Sequence, residues 1–213
     1  MHVVLARHGN TFEANERPVW VGARSDLPLV AKGREQAIRI GEALRGVGLT
    51  PRRALAGPLK RTRETAHLAL VAAGIEGTNV ETEPQLREID YGDWEGMSSD
   101  EIRSMGGAEE LKAWEESNAW PSRAGWPSSS ADYVRGFFGV LEQVGRAGVG
   151  PVLIVSSNGI FKLFASSLSD GIGARKMGTG HMSLLRLDGS KIELLCWDLP
   201  PAAFREWTAA SLA

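Results

Sequence analysis

Cysteine is nearly absent from this chain. Cys196 is the sole example among 213 residues, which excludes an intramolecular disulfide and any metal cage built on thiolates alone. It sits in the apolar run Leu194-Leu195-Cys196-Trp197, where a small buried hydrophobe is expected. Excess positive charge is missing too: 24 Lys+Arg face 26 Asp+Glu, a net charge of -2, so no field is available for wrapping a nucleic acid. No apolar stretch approaches the ~18 residues that a membrane span needs. Met1-His2-Val3-Val4-Leu5-Ala6 meets Arg7 too soon to hold the apolar region of a signal peptide. These absences lead to the expectation of a soluble, cytoplasmic protein with neither membrane nor nucleic acid among its partners, as monomer or homodimer. Four histidines without close spacing give no metal site. Neither a Gly-x4-Gly-Lys-Ser/Thr loop nor a Gly-x-Gly-x-x-Gly turn opening a helix is present, and Gly171-Ile172-Gly173 reads only as a loop. What is there is ordinary: 43% hydrophobic and 23% charged, enough to bury the core of one domain, residues 1–213, with a small inserted cap.

Apolar periodicity supplies the order of elements. Val3 to Ala6 is a short apolar run without helical spacing, read as a buried strand that ends at Arg7-His8-Gly9-Asn10. Ala37, Ile40, Leu44 and Val47 recur at helical spacing over 33–47. Ala54-Leu55-Ala56 predicts a strand, 59–73 a helix closed by Gly74, and 80–86 a strand weakened by Pro84. Residues 98–116 read as a helix interrupted at Gly106-Gly107, and 117–130, rich in Ser, Pro and Trp, as an irregular loop. Asp132 is placed as the cap of a helix carrying Val134, Phe137, Phe138, Leu141 and Val144. A strand at 152–155, a helix at 160–168 and a hairpin turning at Asp188-Gly189-Ser190 complete the reading. Alternating strands and helices imply an α/β layered domain with a mostly parallel sheet, in which ligands bind beyond the carboxyl ends of strands. The segment from about 93 to 130 breaks the alternation and is the candidate cap.

Two polar clusters fall at such strand ends, Arg7-His8-Gly9-Asn10 and Ser156-Ser157-Asn158-Gly159. A lone histidine is more often structural than catalytic. His8, however, follows a buried strand and abuts Arg7. A neutral imidazole is a competent nucleophile, and a guanidinium beside it can grip a phosphate in bidentate fashion. The segment Leu59-Lys60-Arg61-Thr62-Arg63 opens a helix just after a strand, a natural anion site. For Lys60 or Arg63 alone a solvated basic face is the better reading.

Four motifs in order resemble the histidine phosphatase superfamily, also called phosphoglycerate mutase-like. They are Arg7-His8-Gly9-Asn10-Thr11 followed by Asn15; Trp20-Val21-Gly22 with Asp26, Leu29 and Gly33; Leu59-x-Arg61-x-x-x-Thr65-Ala66; and Leu86-x-Glu88-x-x-x-Gly92-x-x-Glu95-Gly96. The resemblance covers residues 3–96. It implies a phosphoglycerate mutase-like three-layer α/β/α sandwich and a metal-free, cofactor-free enzyme acting on a small phosphorylated substrate. In the roles it implies, His8 attacks phosphorus and becomes phosphohistidine, Arg7, Arg61 and Asn15 bind phosphoryl oxygens, and Glu88 protonates the leaving oxygen. Gly22 and His181, the latter in a late Thr-Gly segment, stand near the substrate. Glu88 must carry a proton for its first step, which asks for burial or a neighbouring acid to raise its pKa. Glu95 fits the motif but is assigned to structure.

The pattern departs at one place. Where the family carries a second histidine after its late strand, aligning Val155 and the Gly159-Ile160 step puts Ser157. Three readings stand open: a phosphatase using Ser157, an enzyme taking the imidazole from His181, or a degenerate member that binds a phosphorylated ligand without turnover. A phosphoglycerate mutase is the alternative chemistry. It needs extra cationic contacts from the cap, and 93–130 offers Arg103, Lys112 and Arg123 but four tryptophans, so hydrolysis is the expectation.

Overall fold

The structure is a computed structural model that describes residues 1–75, 77, 79–168, 176–189 and 191–212. Gly171-Ile172-Gly173 and Ser190 lie outside the described residues. Six strands form one sheet: β1 (His2–Arg7), β2 (Arg53–Ala56), β3 (Val80–Thr82), β4 (Val152–Ser156), β5 (Met182–Asp188) and β6 (Lys191–Leu199), in the order β3-β2-β4-β1-β5-β6. Pairs β3-β2, β2-β4 and β4-β1 are parallel, and β5 runs against both β1 and β6. The mostly parallel sheet is therefore present.

Because side chains alternate across a strand, the sheet carries a separate apolar core on each face. Val3, Leu5, Leu55, Val152 and Ile154 point to one face, Val4, Ala6, Ala54, Leu153 and Val155 to the other. On the second face pack α1 (Ala31–Gly46), α2 (Lys60–Ala72) and α7 (Pro201–Ser211), through Ile40, Leu44, Ala69 and Phe204. On the first pack α5 (Ser130–Ala147) and α6 (Asn158–Ser167), through Phe137, Leu141, Phe161 and Phe164. Each such side chain contributes roughly 1.5–3 kcal/mol by leaving water. The result is a three-layer α/β/α sandwich.

Several elements differ from the expectation for local reasons. β3 stops at Thr82 because Pro84 starts a single 3-10 turn, Pro84–Leu86, capped by the Glu83 side chain. The helix over 98–116, by contrast, is interrupted where expected, giving α3 (Ser99–Ile102) and α4 (Ala108–Ser117) with Gly106 at φ 87 between them. Asp132 is not the cap of α5. Ser129 accepts from the Asp132 N–H while Asp132 reaches back, a reciprocal capping box. α7 is an element beyond the expected ones, and it begins with Pro201 in its first turn, where a missing N–H costs nothing.

The segment 93–130 folds onto the first face rather than standing apart. Trp94, Trp114 and Trp126 are all buried in the same core as Leu5 and Ile154. Edge-to-face contacts link Trp20, Tyr91, Trp94, Trp126, Trp114 and Trp120 into one cluster, with centroids 4.7–5.8 Å apart. Among the described residues no helix is long and apolar enough to cross a membrane.

Candidate active site

The carboxyl ends of β1, β2 and β4 finish level with one another. Arg7 pairs with Ser156, and Ala56 with Val155, so the residues that follow each strand emerge along one edge. His8 N donates to Ser156 O at 3.1 Å and Gly57 N to Val155 O at 3.1 Å. The turn carrying Glu88 is tied to the same edge, because Ser156 Oγ donates to Leu86 O at 2.8 Å. A cavity of about 670 Å³ opens there, lined by Arg7, His8, Arg61 and Glu88 at its floor.

The loop after β1 fixes His8. Gly9 and Gly33 pass so closely that a Cβ on either would lie 2.2 Å from a carbonyl oxygen of the other segment, so α1 begins against the nucleophile loop. Gly9 N donates to Thr65 Oγ1, a threonine from the third motif. His8 Nδ1 lies 2.8 Å from Gly9 O. A carbonyl only accepts, so this contact requires Nδ1 to carry the proton and leaves the Nε2 lone pair unprotonated. Burial, then the Arg61 and Arg7 charges, hold His8 well below the ordinary histidine value of 6.5. The ring is neutral.

Arg61 is fully buried at the start of α2. Its guanidinium donates to Ser25 O at 2.6 Å and to Gly22 O at 3.2 Å. Asp26, from the same loop, accepts from Lys60 N at 2.6 Å and so supplies the first turn of α2 with an acceptor. Arg7 donates to Met177 O at 2.5 Å. Both guanidiniums keep an unpartnered, buried Nε. Burial lowers both from the usual arginine range.

Glu88 is held by two backbone donors, Ile89 N at 2.9 Å and Gly159 N at 3.3 Å. Burial raises its carboxyl above the ordinary value, opposed by those hydrogen bonds and by the two arginines. The neighbouring acid, Asp90, is turned to Arg24 at 3.2 Å. Tyr91, which sequence reasoning passed over as motif filler, hydrogen-bonds Glu88 and lines the cavity. Glu95 is bound to Ser25 and Arg24 outside the cavity.

Ser157 is the N-cap residue of α6. Its carbonyl accepts from Phe161 N, while its buried Oγ has no partner among the described residues. Four expected binding residues do not line the cavity: Ser157, which is fully buried beneath it, and Asn15, Gly22 and His181. Asn15 is exposed, because Glu13 N donates to the Glu16 carboxylate and Glu16 N to Glu13 O, closing a turn with Asn15 at its tip. Gly22 contributes only its carbonyl, to Arg61. His181 turns its ring to Asp198, with Nδ1 2.7 Å from Oδ1. Asp198 also accepts from Gly178 N, so His181 braces the loop whose Met177 carbonyl holds Arg7.

Lys162 is a further cavity residue that sequence reasoning missed. It is 1% exposed, lies 4.5 Å over the Trp114 ring and donates to Trp114 O at 2.5 Å and Glu115 O at 3.2 Å. Burial and Lys176 push it down to about 8. It joins the end of α4 to α6, a tie that apolar spacing along α6 does not reveal.

Comparison with known proteins bears on family and fold. The family model described as histidine phosphatase superfamily (branch 1) matches residues 3–199. A 2,3-bisphosphoglycerate-dependent phosphoglycerate mutase of Parvibaculum lavamentivorans is 33% identical over 112 residues, which is 53% of this chain and 52% of that protein. The chain spans about half the length of the curated relatives it matches. Among solved structures, the α-ribazole phosphatase of Shigella flexneri aligns with a TM-score of 0.72 at 26% identity, over 93% of this chain and 96% of the other. A mycobacterial glucosyl-3-phosphoglycerate phosphatase, solved with VO3, aligns with a TM-score of 0.78 at 23% identity, over 93% and 98%, a likeness of fold.

Proposed function

The chain belongs to the histidine phosphatase superfamily, and from that premise we propose that it hydrolyses a small phosphomonoester without a metal, through a phosphohistidine on His8. The observation that carries this reading is a set of buried donors lacking partners among the described residues at one sheet edge: Arg7 Nε, Arg61 Nε and Ser157 Oγ. Buried polar groups are ordinarily paired, and a phosphoryl group offers the acceptors these lack. We take Ser157 to stand in place of the second histidine, as one neutral donor instead of an imidazole.

In the first transfer the His8 Nε2 lone pair forms a bond to phosphorus as the P–O bond to the alcohol breaks. The departing oxygen takes the proton of the Glu88 carboxyl. In the second, water attacks phosphorus, the P–N bond breaks, and the Glu88 carboxylate takes the proton of water. Phosphate leaves, with His8 neutral and Glu88 protonated again. Arg7 and Arg61 hold the charge that builds on the non-bridging oxygens. Burial holds the His8 ring well below its ordinary value and raises the Glu88 carboxyl, both in the direction the first step needs. Hydrolysis is favoured over mutase chemistry because the cap cations face elsewhere: Arg103 pairs with Asp100 and Arg123 with Glu110, and neither lines the cavity.

The test is hydrolysis of p-nitrophenyl phosphate with EDTA present, wild type beside His8→Ala. EDTA-resistant turnover that vanishes in the variant is expected. Full turnover by His8→Ala would sink the mechanism.

A further inference from the structure

Beyond the phosphate end, the cavity has walls of uneven chemistry. One is formed by the loop that follows β1. Phe12, Pro18, Val19, Trp20 and Val21 all line the cavity from that loop, and the acidic residues with them are Glu13 and Glu16. Phe12, Val19, Trp20 and Val21 are half-buried, so apolar surface there is partly wet and is still available to cover. The Trp20 ring is held edge-on against Tyr91 at 4.9 Å and Trp94 at 5.3 Å, which makes it a fixed plate rather than a swinging side chain.

The opposite wall brings lysines, but they are committed. Lys162 spends its donors on the Trp114 and Glu115 carbonyls, and Lys176 stands 3.8 Å from the Glu115 carboxylate. Among the described lining lysines Lys32, on α1, has neither an ion pair nor a side-chain hydrogen bond. Glu115 and Lys176 offset one another, so a second anionic group seated beside the loop wall would meet Glu13 and Glu16. Like charges at close range disfavour such a ligand, whereas an uncharged ring gains by covering the apolar wall.

We propose that the preferred substrate is the phosphomonoester of an uncharged alcohol bearing an aromatic or comparably flat apolar ring, seated against Phe12 and Trp20, and not a phosphorylated acid. The inference rests on the phosphatase reading above and narrows it. Apolar pocket contacts discriminate by roughly 10–200-fold, and the carboxylates add to that margin.

The experiment compares kcat/KM for 1-naphthyl phosphate and 3-phosphoglycerate in the full chain, in Phe12→Ala, and in the double variant Glu13→Gln/Glu16→Gln. Phe12 belongs to neither apolar core, and Glu13 and Glu16 are exposed, so these changes spare the fold. Expected are a preference of about 100-fold for the naphthyl ester, a rise of about tenfold in its KM in Phe12→Ala, and a gain for 3-phosphoglycerate alone in the double variant. Equal use of both esters by the wild type overturns the inference, as does an equal effect of Phe12→Ala on both. If neither ester is turned over by wild type and His8→Ala behaves identically, the phosphatase reading itself has failed and takes the substrate class with it.

Discussion

Replacing Gly159 by alanine tests how Glu88 is set in place. A Cβ built on Gly159 would lie 2.4 Å from Glu88 Oε1, 2.7 Å from the Tyr91 hydroxyl and 2.8 Å from Ile89 Cδ1. The carboxyl cannot swing aside cheaply, since it is 5% exposed and held by Ile89 N and Gly159 N. Two effects of opposite sign act on stability. Alanine in the first turn of α6 gains up to about 1 kcal/mol of helix propensity, while forcing packed side chains apart costs about 1–3 kcal/mol. The net loss is up to about 3 kcal/mol, or at most about 12 °C in Tm for a chain of this size. The protein remains folded with its proposed acid displaced. General acid catalysis contributes about 10²–10⁴-fold, so kcat/KM for an alkyl phosphate falls by at least about 10²-fold. For p-nitrophenyl phosphate, whose leaving group departs without needing a proton, the fall stays below about tenfold. kcat/KM reports the first transfer, so the second, in which Glu88 is the base, does not blur the comparison. Equal losses for both esters with an unchanged Tm would refute Glu88 as the acid, and so would no loss for either.

Two further outcomes follow from the same groups. Ser157→Ala removes one neutral donor to the phosphoryl group, and kcat falls by at most about 10²–10³-fold without being abolished, measured with p-nitrophenyl phosphate. His8 is neutral in the folded chain because burial and the two arginines depress its pKa, whereas the unfolded chain binds a proton below the ordinary value of 6.5. The folded state therefore loses stability as pH falls below about 6.5. Urea unfolding of His8→Asn shows a shallower acid slope than wild type, and parallel slopes would refute the assignment.

Much of the scaffold was legible because strand β1, strand β4 and helix α1 are written in single periodicities. Val3 to Ala6 and Val152 to Val155 are unbroken apolar runs, which a strand covered on both faces requires. His8, Arg61 and Glu88 were nameable because each sits in a local motif, after β1, at the start of α2 and in the turn beyond Pro84–Leu86. The less readable parts depend on through-space partners. Asn15 carries the motif position, but the turn closed by Glu13 and Glu16 decides where its side chain goes. The His181 ring is turned by Asp198, seventeen residues away in sequence. Lys162 reads as a solvated charge on α6, yet the carbonyls at the end of α4 and the Trp114 ring account for its burial. Nor does a local pattern place Pro201 inside a helix instead of before one.

Ser157, proposed above to stand where a second imidazole is expected, bears on more than phosphate binding, because Glu88 is balanced between opposed influences. Burial raises its carboxyl, while Arg61, Arg7 and two N–H donors pull it down. One of those donors, Gly159 N, lies two residues beyond Ser157 at the same helix start. A cation at position 157 would stand beside these groups and favour the charged carboxylate. A neutral serine leaves burial in command and keeps the acid protonated to higher pH. Ser157→His therefore has two expected consequences with different signs. It strengthens inorganic phosphate binding at acidic pH, by adding a charge-assisted donor. It also moves the alkaline limb of kcat/KM to lower pH, because Glu88 loses its proton earlier. Ser157 is fully buried, so the ring needs local repacking, and thermal unfolding of the variant reports whether that has happened. In a variant that unfolds cooperatively, an alkaline limb left in place or displaced upward would show that Glu88 does not respond to charge at 157. The balance drawn here would then be wrong even if the site still hydrolyses phosphate esters.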